Sequence, residues 1–183
     1  MWWEQAAWIA TVIAALIAAV ALRRQSFQVR ASLLLNVYER WEGLAEARGA
    51  FTLFYQSVGK AVRKAHSNLQ NEAQIPHLRA EFVRQLADLK ARDAKEFSQF
   101  VAFVSFFELL GMYVKKRYLP LCDIVDMYKG PILEIELSFR DFVPVWQSEA
   151  HVSNGLFVNA LYLMRRVSFC DRHPWLAWLI GWC

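Results

Sequence analysis

The stretch from Gln5 to Leu22, QAAWIATVIAALIAAVAL, carries no charge. Its length of about 18 residues approaches the roughly 20 that a helix needs to cross a bilayer's hydrocarbon core. No other segment constrains the chain so strongly, because an uncharged run of this length either lies in lipid or is covered by protein. A cleaved signal peptide would open with a basic segment, whereas Met1–Ala7 holds Glu4 and no Lys or Arg. Ala19-Val20-Ala21 does fit a cleavage site, so secretion stays open as an alternative. Trp2, Trp3 and Trp8 stand at one end of the run, and Arg23, Arg24 and Arg30 follow the other. Aromatic rings favour the membrane interface and Lys/Arg are retained on the cytoplasmic side. The expected arrangement is residues 1–23 as a transmembrane anchor with its N-terminus outside, single-pass in the inner (cytoplasmic) membrane. The bulk of the chain is then cytoplasmic.

Ala10, Ala14 and Ala18 recur every four residues in this span. Side chains that small let two helix backbones approach closely, where packing and lipid entropy drive association. They are the first candidate contact surface, for a second copy or for another membrane subunit.

The remaining residues suffice for one helical domain with a real core. Hydrophobic residues make up 56% of the sequence and aromatics 15%, high even with the span set aside. A formal net charge of +4 is mild and suits a domain facing anionic headgroups. No compact basic stripe with interleaved aromatics points to nucleic acid. Cys122, Cys170 and Cys183 are odd in number and far apart, which argues against a disulfide framework.

Residues 24 to about 66 have helical periodicity through Leu34, Tyr38, Trp41, Ala45, Tyr55 and Val58. Gly43, Gly49 and Gly59 mark close packing, a kink or an end. The polar run SNLQNEAQIP, Ser67 to Pro76, reads as a loop, and a second long helix is expected from His77. Its stripe is Leu78, Phe82, Leu86 and Leu89, with Arg84, Asp88, Arg92 and Glu96 forming an i,i+4 charge ladder on another face. From Phe97 to Val114 it becomes apolar all round, with Glu108 its only charge. Such a helix is either buried or a second span. A second span would leave Lys115, Lys116 and Arg117 outside and Glu108 in lipid, so a central core helix is the expectation.

Leu121 to Tyr128 reads as a short helix, and Gly130-Pro131 as the start of another with stripe Ile132, Ile135, Phe139, Phe142 and Trp146. Ser153-Asn154-Gly155 precedes a last amphipathic helix through Leu156, Phe157, Ala160, Leu161, Met164 and Val167. In the tail, residues 174–183, Trp175, Trp178 and Trp182 are spaced to share one side of a helix too short to span. Behind Arg165, Arg166 and Arg172 they suit the membrane interface. Packing on the protein's own core and insertion into a partner's groove are the alternatives.

The residues Phe106-Phe107-Glu108-Leu109-Leu110-Gly111, then Tyr118-Leu119-Pro120, then Gly130-Pro131-Ile132-Leu133 occur in suggestive order after the span. In this the chain resembles a large uncharacterised bacterial family of single-span membrane proteins with helical cytoplasmic domains. The resemblance covers most of the chain but not the Trp-rich tail. It implies the same architecture and transfers no activity.

Arg48 and Glu108 each interrupt an apolar helix. Since an unpaired buried charge is costly, they are expected to pair across helices as a structural ion pair, the alternatives being a ligand or proton site or no meeting of the two. Cys170-x-x-His173 is too few ligands for a structural zinc site, and no glycine phosphate loop, nucleophile elbow or HExxH occurs. No catalytic, cofactor or metal residues are therefore assigned. The sequence describes an all-α protein: one N-terminal transmembrane helix continuing into a cytoplasmic four- or five-helix bundle (24–173) with a Trp-rich membrane-interface tail. The expected role is a non-catalytic membrane-anchored scaffold or accessory subunit that self-associates or joins a larger membrane protein complex. The alternative is a membrane-tethered sensor or effector whose bundle binds a small ligand or signalling partner.

Overall fold

The computed structural model describes residues 2–65, 71–144 and 157–179, and among these every regular element is helical. By contacts the chain divides into two units, Met1–Glu39 and Arg40–Cys183. The first is a single helix: α1 runs Trp2–Gly43, and only its last residues belong to the second unit.

The second unit contains α2 (Ala45–Ala65), a 3-10 turn (Asn71–Gln74), α3 (Ile75–Arg92), α4 (Ala94–Lys115), α5 (Leu121–Phe139), α6 (Val158–Arg172) and α7 (Pro174–Leu179). Helix α4 is the centre. It packs on α2, α3 and α5, and most extensively on α6. Phe97, Phe100, Phe103, Val104, Phe106, Phe107 and Leu110 are buried along it. Each such side chain removed from water contributes on the order of 1.5–3 kcal/mol, so α4 is the core around which the amphipathic helices assemble. Around it, α2 buries Phe51, Val58 and Val62, α3 buries Phe82, Leu86 and Leu89, and α5 buries Ile124, Tyr128, Ile132, Ile135 and Phe139.

Helix boundaries differ from the sequence expectation in several places, each for a local reason. The long first helix breaks at Gly43–Leu44, where Leu44 N–H turns back to the Trp41 carbonyl at 3.2 Å and α2 begins. The second long helix is two helices. Asp93 ends α3 and caps α4, its Oδ1 accepting from the backbone of Lys95 at 3.0 Å and Glu96 at 2.9 Å. A side-chain acceptor there satisfies donors that a helix start leaves orphaned. Conversely, Gly130-Pro131 starts nothing: α5 passes straight through it. Proline lacks the N–H that would reach the Met127 carbonyl, and the buried stripe Ile124–Tyr128–Ile132–Ile135 on one face of α5 offsets that loss. Pro76, expected to end a loop, instead lies in the first turn of α3, where a missing N–H costs nothing.

Helix α4 ends in a Schellman turn. Tyr118 N–H donates to the Tyr113 carbonyl at 2.9 Å and Arg117 N–H to the Val114 carbonyl at 3.0 Å. The two tyrosine rings lie 6.3 Å apart across it. The left-handed position is held by exposed Arg117 (φ 60°), which carries a Cβ where glycine is favoured. Arg117→Gly should therefore raise stability by about 0.5–1 kcal/mol, read as a higher unfolding midpoint of the full chain in mild detergent.

On α3 the charge ladder forms only in part. Arg84 grips Glu81 (Nη2–Oε1 2.6 Å, Nε–Oε2 2.9 Å) and reaches Asp88 at 3.1 Å. Arg92 turns to the Asp88 backbone carbonyl at 3.4 Å, and Glu96 lies beyond the helix break. The Arg84 bonds, then that from Gln85, hold the Glu81 carboxyl down to about 2. A depressed carboxylate contributes stability above its unfolded pKa and loses it as the folded group protonates. The contribution should be present above about pH 4.5 and disappear as pH falls toward 2. Arg84→Ala should thus destabilise slightly at pH 7, with the gap to wild type closing on acidification in matched melts.

Candidate membrane and partner surfaces

Among the described residues, two helices are long and apolar enough to cross a membrane, and their surroundings differ. In the apolar window of α1, none is buried; in that of α4, 44% is. Val12, Ile13, Leu16, Ile17, Val20 and Leu22 are each more than half exposed. Water penalises that much bare aliphatic surface, and a soluble monomer rarely shows so large a patch. Ala14 and Ala18 are exposed on the same helix.

At the other end of the sequence, α7 packs on α6; Ala177 is fully buried, whereas Trp175 is 67% and Trp178 74% exposed, with Leu179 exposed beside them. The reading in which these two rings fill the protein's own core does not hold: the small residue is buried and the large ones face out. Trp182, the third ring of the expected set, lies outside the described residues, as do Trp146 and Ser153-Asn154-Gly155.

The expected Arg48–Glu108 ion pair is not formed. The Arg48 guanidinium carbon lies 4.5 Å from the centroid of the Trp41 ring, and Nη2 is 3.8 Å from Glu42. The helix break before Ala45 brings Arg48 back over the last turn of α1. Trp41 in turn packs against Phe106 (5.3 Å), Phe107 (6.2 Å) and Tyr128 (5.0 Å). A half-exposed pair at this distance is worth at most about 1 kcal/mol, comparable to the stacking on tryptophan. Arg48 also borders an open cleft of about 290 Å³, shared with Thr52, Phe103, Pro131 and Glu134.

Glu108 faces α6, not α2. Its Oε1 accepts from Asn159 Nδ2 at 2.6 Å and its Oε2 from the backbone N–H of Ala160 at 2.7 Å. Phe157, the residue before α6, is left-handed (φ 60°) and provides no side-chain cap. The carboxylate of α4 thus caps α6 from outside, near the positive end of its dipole. One turn further along α4, a Cβ on Gly111 would fall on the Asn159 carbonyl. Glu108 and Gly111, three residues apart, form one docking feature: the first binds the start of α6, and the second lets its backbone approach. Sequence alone gives Gly111 and Asn159 no part in docking α6, and it places Phe157 on the apolar stripe of the last helix, whereas the helix starts only after it. The one signal it offers is Glu108-x-x-Gly111 on a helix whose apolar character leaves both conspicuous.

Between α4 and α6 lies a second open cleft, of about 570 Å³, lined by Lys115, Val158, Leu161, Tyr162, Arg165, Arg166 and Phe169. The Arg166 guanidinium sits 5.2 Å over the Tyr162 ring. Cys170 is buried on α6, and the His173 ring lies 5.1 Å from Phe169. Among the described residues, no three His, Cys, Asp or Glu side chains gather as a metal-binding group. Compared with protein-family models, curated proteins and solved structures, the chain has no match.

Proposed function

We propose that this protein is a non-catalytic, single-pass scaffold or accessory subunit of the inner membrane. Residues 1–23 anchor it, and a cytoplasmic helical bundle self-associates or joins a larger membrane complex. One observation carries the reading: the apolar side chains from Val12 to Leu22 lie bare on α1, while the bundle fills its own core with aromatic residues of α2 to α5. Lipid or other spans are the covering that such a helix requires. The tryptophans before the span and the arginines after it orient the bundle toward the cytoplasm. Exposed Trp175 and Trp178 then rest at a lipid interface.

The association surface is the Ala10–Ala14–Ala18 face. Ala14→Leu, which adds bulk where two backbones would meet, should leave the protein in the membrane and reduce in-membrane cross-linking several-fold. A wild-type chain recovered from native membranes as a lone monomer, with no cross-linked partner, would sink the scaffold reading. The alternative, a tethered sensor, has one feature in its favour: Arg48 Nε is buried without a hydrogen-bond partner at the wall of the 290 Å³ cleft. Stabilisation by small carboxylates that is lost in Arg48→Met would favour it.

A further inference from the structure

The cleft between α4 and α6 combines two chemistries. Lys115 and Arg165 are exposed on its wall, and neither has an ion-pair partner among the described residues. Arg166 is held against the face of Tyr162. Among the described residues, no acidic side chain lines the wall. The remaining lining is apolar: Leu161, Phe169 and Val158, the last 41% exposed. An inorganic anion would use the cations and leave the apolar residues wet, and a purely apolar ligand would leave Lys115 and Arg165 unanswered. An anionic amphiphile satisfies both.

We propose that this cleft binds the headgroup of an anionic phospholipid, with the phosphate on Lys115, Arg165 and Arg166 and the first acyl carbons along Val158, Leu161 and Phe169. The inference rests on the reading above that the bundle works at a membrane. Guanidinium groups suit phosphate because their donors lie in one plane and match two oxygens at once. A cleft of this volume falls within the size range of small-ligand sites. Its neighbours fit the same surface. Lys116 and Arg117 are exposed just beyond Lys115. On the other side, the Phe169–His173 ring contact leads directly into α7 with its exposed Trp175 and Trp178. Tryptophan concentrates at headgroup depth, so a basic cleft beside it lies where phosphates are.

The test uses the full chain in a mild detergent, offered equal amounts of phosphatidylglycerol and phosphatidylcholine of one chain length. Native mass spectrometry counts the lipids retained. Wild type should retain the anionic lipid in roughly five- to ten-fold excess. Lys115→Gln/Arg165→Gln should bring the ratio near parity, and circular dichroism should show the fold kept, since both side chains are exposed. Lys60→Gln/Lys64→Gln, exposed on α2 and outside the cleft wall, should leave the excess unchanged. Parity in wild type, or an excess surviving in the cleft variant, overturns the proposal. So does equal displacement of both lipids by inorganic phosphate, which would assign the cleft to a free ion. Anchoring is read separately, by whether the protein stays in carbonate-washed membranes. Release on washing with the lipid excess intact would refute the anchor and leave the cleft.

Discussion

Gly111→Ala should lower the stability of the protein by about 3 kcal/mol, although alanine is the better helix former. In an open helical position the exchange is worth up to about 1 kcal/mol in alanine's favour. At Gly111 the added methyl would occupy the place of the Asn159 backbone carbonyl, which no rotamer change can clear. Either α6 shifts away from α4 or α4 bends, and the bonds to Glu108 a turn away are lost with the movement. Overpacking a well-filled interior costs about 1–3 kcal/mol, and the broken cap adds to it. For a chain of this size the unfolding midpoint should fall by roughly 6–12 °C. Gly49→Ala supplies the control of opposite sign. It lies inside α2, where an added methyl would meet nothing within 4 Å, so it should raise the midpoint slightly. Equal and small effects from the two substitutions would show that α6 does not approach α4 as closely as described.

That pair of glycines shows what a sequence can and cannot reveal. Composition and periodicity disclose the helices, the uncovered apolar stretch of α1 and the central place of the phenylalanine-rich α4, because each depends on residues near in sequence. The break at Asp93 is also legible in principle: Asp93-Ala94-Lys95-Glu96 has capping-box spacing. It is masked by the charges Arg84, Asp88, Arg92 and Glu96, whose i,i+4 steps run straight through it. Gly130-Pro131 misleads in the opposite direction, since a local breaker is overridden by the buried face of α5, a tertiary effect. Arg48 and Glu108 stand out as charges in apolar helices. Their partners depend on a turn at Leu44 and on a helix some fifty residues downstream, and neither can be read from spacing. The exposure of Trp175 and Trp178 likewise depends on which residue of α7, Ala177, is the one turned inward.

Glu108→Ala should cost about 3–4 kcal/mol, from loss of two hydrogen bonds to a charged acceptor at about 1.5–3 kcal/mol each, less what water recovers. The backbone N–H of Ala160, fully buried as a residue, would then lack its acceptor, and the start of α6 would lose the negative charge at its positive end. Glu108→Gln separates the two contributions. Its amide oxygen can still accept one bond, but its NH2 group would face the Asn159 amide or the Ala160 N–H, donor to donor. An intermediate loss of about 2 kcal/mol is expected. Arg48→Ala, by contrast, removes only a half-exposed contact with Trp41 and Glu42 and should cost about 1 kcal/mol. If Glu108 instead bonded Arg48, the two alanine substitutions would be similar in size and strongly non-additive. With separate partners, the Arg48→Ala/Glu108→Ala double variant should lose the sum of the single effects within about 0.5 kcal/mol. Coupling should appear between Glu108→Ala and Gly111→Ala, which disrupt the same helix start. A double-mutant cycle on thermal or denaturant unfolding in detergent distinguishes the two arrangements directly.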